Sequence, residues 1–339
     1  MQRDFMIALI AALLILSPQA ALATTEPGHP VAQAAEQFGG LERTHGLVIA
    51  IEGETVFEHA FAGPAVDEPV NVKSLAKTFL AALVGAAIER GVVAGADQPV
   101  VELLGELVPA EAPAGIERVT VGHLLSMQAG LEPTSGPNYG TWVASEDWIA
   151  DALGRPFIDE PGGRMLYSTG NSHLLSGALT EATETSTLAL ARAWLGNPLN
   201  IRIPDWPTDP QGIHFGGNNM RLSPHALIRL GELYHNDGVV DGRRVLPEGW
   251  VETSWTPRGQ SQYHDDYYGY GWFVGELADE RVYYGWGFGG QVLYVVPSLA
   301  LTVALTSDPT PPSPRGAYLA RIHEVMAEHL IPAVREAAP

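Results

Sequence analysis

The chain has 339 residues, 46% of them apolar and 17% charged, enough for one large domain or two interleaved ones with a sizeable core. Its 39 acidic side chains outnumber 19 basic ones, and the formal net charge of −20 argues against a nucleic-acid partner and against docking on anionic lipid. There are no cysteines, which excludes disulfides, a thiol nucleophile, thiolate metal ligands and lipid attachment through cysteine.

Residues 1–23 read as a secretory signal. Arg3 is a thin basic start, residues 5–16 form an apolar run too short to cross a bilayer as a helix, and Ala21-Leu22-Ala23 is a small-x-small cleavage site. A retained N-terminal anchor is the alternative. The mature chain then begins near Thr24, in a periplasmic or extracellular space, with no stable membrane span left after cleavage. Residues 24–41 are a polar lead-in. Residues 46–52 and 54–61 flank Gly53 and predict a β-hairpin. The stretch 71–91 is apolar at helical spacing through Leu75, Phe79, Leu83, Ala86 and Ala87, and Gly91 is its stop. Further helices are predicted at 119–127 with Thr120 as cap, at 145–153 with Glu146 and Asp147 in the first turn, and at 173–182 and 186–195. Residues 205–219 form a loop rich in Gly, Pro, Asn and Asp, and Ser223-Pro224 opens a helix through Tyr234. Four strands follow, at 268–276, 281–286, 290–296 and 301–306, and then a terminal helix at 315–330.

Strands at both ends with helices between them predict an α+β fold. One antiparallel sheet from N- and C-terminal strands, flanked by helices, stands beside an inserted, mostly helical subdomain. The sheet region takes 42–70 and 225–339 and the helical region 71–224. The helix after Ser74 lies at the seam, where ligand clefts form.

That helix carries Ser74-Leu75-Ala76-Lys77. Positions three apart share a helix face, so the hydroxyl and the amine are neighbours beside the free N–H groups of the first turn. A serine followed by a solvated lysine is commonplace. Here, however, Lys73 and Lys77 are the only lysines of the chain, and every other basic side chain is Arg. Arg does not lose its proton, whereas a desolvated Lys does, so a lysine kept in this position suits a general base. Tyr167, in Tyr167-Ser168-Thr169-Gly170-Asn171, is a candidate proton relay, with ionisation eased by a neighbouring cationic lysine. The glycines of 285–290 mark a close backbone approach, by a ligand or at a tight turn.

Together these segments resemble the serine β-lactamase and penicillin-binding-protein superfamily, nearest its class C-like branch of hydrolases and esterases. The likeness runs from about residue 46 to 307. It rests on SLAK at 74–77, DQPVVELLGEL at 97–107, VTVGHLLSMQAGL at 119–131, MLYSTGNSHLLSGAL at 165–179, DPQGIHFGGNNMRLSP at 209–224 and GWGFGGQVLYVVP at 285–297. The resemblance implies one β-lactamase-like domain over 24–339, with Ser74 as nucleophile, Lys77 as base, Tyr167 as relay, and the N–H groups of Ser74 and Phe288 as oxyanion hole. Substrate contacts are expected from Thr169, Asn171, Trp286, Gly287 and, on the 134–142 loop, Tyr139. The chemistry uses no metal and no organic cofactor. Two positions depart from the pattern. Thr169 stands where the Tyr motif has Asn, with Asn171 two residues on. Gly285 stands where a Lys or His meets the carboxylate of β-lactams. The partner expected is therefore an uncharged small-molecule or peptide-like ester or amide. A β-lactamase, a D-amino-acid peptidase and a catalytically weak cell-wall or peptide sensor are the alternatives.

Other chemistries find no motif. There is no Gly-x-Ser-x-Gly elbow and no phosphate-binding Gly-x-x-x-x-Gly-Lys. His323 and His329 lack zinc-motif spacing and read as part of a solvated terminal helix, and His123, His173 and His214 read as structural, with reach into the cleft the alternative for His214 in the Gly-rich loop.

Overall fold

A computed structural model describes residues 29–310 and 316–337. The signal-peptide reading of 1–23 lies outside the described residues. The chain builds one eight-stranded sheet from β1 (Thr44–Ile51), β2 (Glu54–Ala60), β3 (Gly259–Gln260), β4 (Tyr267–Tyr268), β5 (Phe273–Leu277), β6 (Glu280–Gly287), β7 (Gln291–Val296) and β8 (Leu301–Ser307). Their spatial order is β2-β1-β8-β7-β6-β5-β4-β3, with every neighbouring pair antiparallel. The N-terminal hairpin turns on Glu52 (φ 53°) and Gly53 (φ 79°), two left-handed residues of the kind that match strand twist. It closes against the last strand, Ile51 opposite Leu301.

Strand alternation sends side chains to two cores. Val48, Ala50, Leu293, Val295 and Ala304 pack with α2 (Ala76–Glu89) and α4 (Pro224–His235). Leu47, Ile49, Val292, Tyr294 and Leu305 pack under α1 (Pro30–Glu36) and α5 (Ala317–Val325). The helical region is centred on α3 (Thr169–Thr183), which packs on α2 and on the helices Val100–Leu104, Val121–Leu125 and Trp148–Leu153. The α+β architecture, with helices on both faces of an antiparallel sheet, is the one the element order predicts.

Four local readings change. The lead-in contains helix α1, started by Pro30 and capped by His29 Nδ1, which accepts from Val31 N at 3.3 Å. Burial of Val31, Ala34 and Ala35 under the sheet holds it, which its polar composition did not disclose. The helix read at 145 begins at Trp148, and Asp147 is its cap, accepting from Ala150 N at 2.8 Å. The strand read at 268–276 breaks into β4 and β5 around Gly271 (φ 77°), whose carbonyl accepts from Thr78 Oγ1 on α2 at 2.7 Å. The terminal helix is not solvated throughout. His323 on α5 turns inward against Tyr284 and Tyr294, with ring centroids 5.1 and 5.8 Å away, and burial lowers its pKa to about 4.

Candidate active site

Ser74 sits in a 3-10 turn, Lys73–Leu75, that runs directly into α2. Lys73 precedes it at φ 53°, a left-handed conformation sparsely allowed for a residue with a side chain. Neighbouring groups hold that strain: Lys73 N donates to Asn71 Oδ1 at 2.9 Å, and Asn71 Nδ2 donates to Asn219 Oδ1 at 3.0 Å. The two-residue ladder of Val70–Asn71 with Arg221–Leu222 ties the same entry to the Gly-rich loop.

One turn on, Lys77 is 4% exposed. Its Nζ reaches Gly217 O at 2.7 Å, Ser74 Oγ at 3.2 Å and Thr169 Oγ1 at 3.3 Å. Among the described residues no carboxylate balances it, and burial brings its pKa from 10.5 down to about 7. The amine also lies 4.9 Å from the centre of the Tyr167 ring. Tyr167 itself is pushed the other way. Burial raises its pKa, the nearby Ser74 hydroxyl pulls it down by less, and Tyr263 adds to the rise. Burial therefore works against the easing of Tyr167 ionisation expected from a cationic lysine.

The start of α3 is capped from outside. Ser168 gives no side-chain cap to its own helix. Instead, Thr169 N donates to Ser135 Oγ at 2.8 Å and Gly170 N to Thr134 Oγ1 at 2.8 Å. Ser135 Oγ is also 3.1 Å from Thr169 Oγ1, which links the 134–142 loop to Lys77 through one hydroxyl. Tyr139 is not on a loop but opens the short helix Tyr139–Val143, and its hydroxyl accepts from Asn218 Nδ2 at 2.8 Å. Asn171 is buried in α3 and does not line the cavity. Two helical residues are about 200° apart, so Asn171 faces away from the side on which Thr169 meets Lys77.

Strand β6 lies across the first turns of α2. A Cβ at Gly285 would collide with Thr78 Oγ1, and one at Gly287 with the Val72 carbonyl. Both glycines are required by this contact. A lysine at 285 has no room to reach the cleft without moving α2. Gly287 supplies close approach and does not line the cavity. Trp286 and Phe288 do.

The resulting cavity, about 430 Å³, is lined by Ser74, Tyr139, Tyr167, Thr169, Trp286 and Phe288. It is within the range of small-molecule sites. Among the described residues none of its lining side chains carries a charge. The structure adds Ser135, Asn218, Tyr263, Tyr318 and Leu319 to the lining, none of which the sequence reading singled out. Asn218 belongs to the Gly-rich 209–224 segment and Ser135 to the 134–142 loop, so a signal existed for both. Leu319 comes from the terminal helix and has none.

The beta-lactamase family model matches residues 31–326. The 6-aminohexanoate-dimer hydrolase of Paenarthrobacter ureafaciens is 25% identical over 268 residues, covering 70% of this chain and 67% of that protein. Among solved structures, a putative 6-aminohexanoate-dimer hydrolase from Bacillus anthracis superposes with a TM-score of 0.72 at 20% identity, covering 89% of this chain and 81% of that one. EstCE1, a hydrolase with promiscuous acyltransferase activity, superposes with a TM-score of 0.71 at 18% identity, covering 88% and 97%.

Proposed function

We propose that this chain, which belongs to the beta-lactamase family and is a serine hydrolase, cleaves an uncharged ester or amide through an acyl-enzyme on Ser74. The observation that carries this reading is the Lys77 amine, 3.2 Å from Ser74 Oγ and shifted by burial to a pKa of about 7. About half of it is a free base at neutral pH. Lys77 takes the Ser74 proton as Oγ attacks the carbonyl carbon. The N–H groups of Ser74 and Phe288 hold the oxyanion, at roughly 3–4 kcal/mol per donor. When the carbon–oxygen or carbon–nitrogen bond breaks, the proton on Lys77 passes through the Tyr167 hydroxyl to the departing alcohol or amine. Water then attacks the acyl-enzyme and gives a proton to Lys77, which returns it to Ser74 Oγ as the acyl–oxygen bond breaks and the carboxylic acid leaves.

The uncharged lining supports a neutral substrate, and the glycine at 285 removes the cation that would meet a β-lactam carboxylate. The relative named 6-aminohexanoate-dimer hydrolase is in keeping with a hydrolase reading. The reading includes export: residues 1–23 serve as a cleaved signal, which N-terminal sequencing of protein recovered outside the cytoplasm checks.

The test is a fluorophosphonate probe on the purified protein, with the modified residue located by mass spectrometry. Labelling at Ser74 that disappears in Ser74→Ala and Lys77→Ala is the expected result. Folded wild type that stays unlabelled refutes it.

A further inference from the structure

The cavity has two walls of different chemistry. The helical region presents polar groups, Ser135 Oγ and the Asn218 amide beside the Tyr139 hydroxyl. Strand β6 with the turn after it, the loop between β3 and β4, and α5 present Trp286, Phe288, Tyr263, Tyr318 and Leu319. On that second wall the polar tip of Tyr318 is engaged away from the cavity. The Tyr318 hydroxyl is 3.3 Å from Thr44 Oγ1, which leaves its ring to the cavity. Tyr263 stands edge-on to Tyr167 and to Trp286, with ring centroids 5.6 and 6.0 Å away, and burial raises its pKa, so it is neutral.

Exposure points the same way. Among the described residues four large apolar side chains are exposed, and two of them, Phe288 at 50% and Tyr263 at 38%, stand at this cavity. Two exposed aromatic side chains at the cavity that holds Ser74 give an apolar ligand a surface to cover.

We infer that the substrate carries an extended alkyl chain, seated in the trough between Tyr263, Trp286 and Phe288 and directed toward Leu319. This deepens the hydrolase reading and rests on it. The chain stands on the acyl side or on the alcohol or amine side of the scissile bond; the chemistry that recognises it is the same.

Two ester series test this with the full-length protein: p-nitrophenyl esters from acetate to octanoate, and alkyl acetates from ethyl to octyl. In one of them kcat/KM should climb up to about fourfold per methylene, the equivalent of full burial of each CH₂. Tyr263→Ser and Leu319→Phe, one opening the trough and one blocking its end, should flatten that climb. Ile158→Ser, at an apolar residue 45% exposed and outside the cavity, should keep it. Flat or falling series in wild type, with Ser74 still labelled by fluorophosphonate, overturn this inference and leave the hydrolase reading intact. A climb untouched by both trough variants overturns the seating of the chain there. No labelling and no turnover overturn both.

Discussion

Lys77→Met separates the lysine's charge from its shape, and its effect on stability can be worked out. Burial takes the Lys77 pKa from 10.5 to about 7. At 1.36 kcal/mol per pH unit this corresponds to about 5 kcal/mol. Between pH 7 and 10.5 the unfolded chain holds the Lys77 proton and the folded chain does not. Stability therefore rises with pH across that window, and the cost of Lys77 is fully present below pH 7 and gone above 10.5. Integrated from pH 6 to pH 9, the relief is roughly 3 kcal/mol. Methionine carries no such term. It does leave the Gly217 carbonyl without its 2.7 Å donor, a loss of about 1–3 kcal/mol that does not change with pH. The two effects separate in a comparison at two pH values. Urea unfolding of wild type and Lys77→Met, followed by tryptophan fluorescence, should favour the variant more at pH 6 than at pH 9, by roughly 3 kcal/mol. Histidines titrate in both proteins and cancel. An equal difference at both pH values would falsify the depressed pKa and remove Lys77 as the free base of the mechanism.

Four further outcomes follow from the same geometry. In wild type kcat/KM should rise with pH through about 7 as Lys77 loses its proton, and Lys77→Arg should abolish turnover at every pH, because Arg keeps its charge. Tyr167→Phe should lower kcat by about 10²–10⁴ on alkyl esters and amides, whose leaving groups need the relayed proton, while Lys77 still activates Ser74, so fluorophosphonate labelling of Ser74 should persist; unchanged kcat would remove Tyr167 from proton transfer. Ser135→Ala takes away the external cap of the Thr169 N–H and should lower stability by about 1 kcal/mol in chemical unfolding, with Ser135→Thr retaining most of it. Gly285→Lys should lower the Tm and still fail to hydrolyse a chromogenic cephalosporin, because the new side chain meets Thr78 before it reaches the cleft; cephalosporin turnover in the folded variant would sink that account.

Much of the molecule is local enough to be read from residues alone. The three-residue step from Ser74 to Lys77 is a helical repeat, and the apolar rhythm after it needs only a helix. Runs such as 291–296 and 301–307 alternate between two cores, so their β-branched and aromatic composition declares them strands. The order of strands and helices then limits the fold to an antiparallel sheet with a helical insertion. Scarcity of lysine marked Lys77 as chemically different from the rest of the basic side chains.

What the tertiary structure decided depends on burial and on contacts between distant segments. A pKa near 7 for Lys77 follows from its enclosure by Thr169 and Gly217, and the raised pKa of Tyr167 from the same enclosure; neither can be read from the spacing of 74, 77 and 167. Asn171 was a plausible substitute for the missing Asn until the helix start at Thr169 turned it away. Ser135 caps a helix 34 residues downstream, and Leu319 reaches the cavity from the other end of the chain. Strand 268–276 had the composition to run unbroken, yet Gly271 bends it because α2 stands in its path. Local periodicity is a property of neighbours along the chain, whereas desolvation and close approach belong to whichever segments the fold brings together.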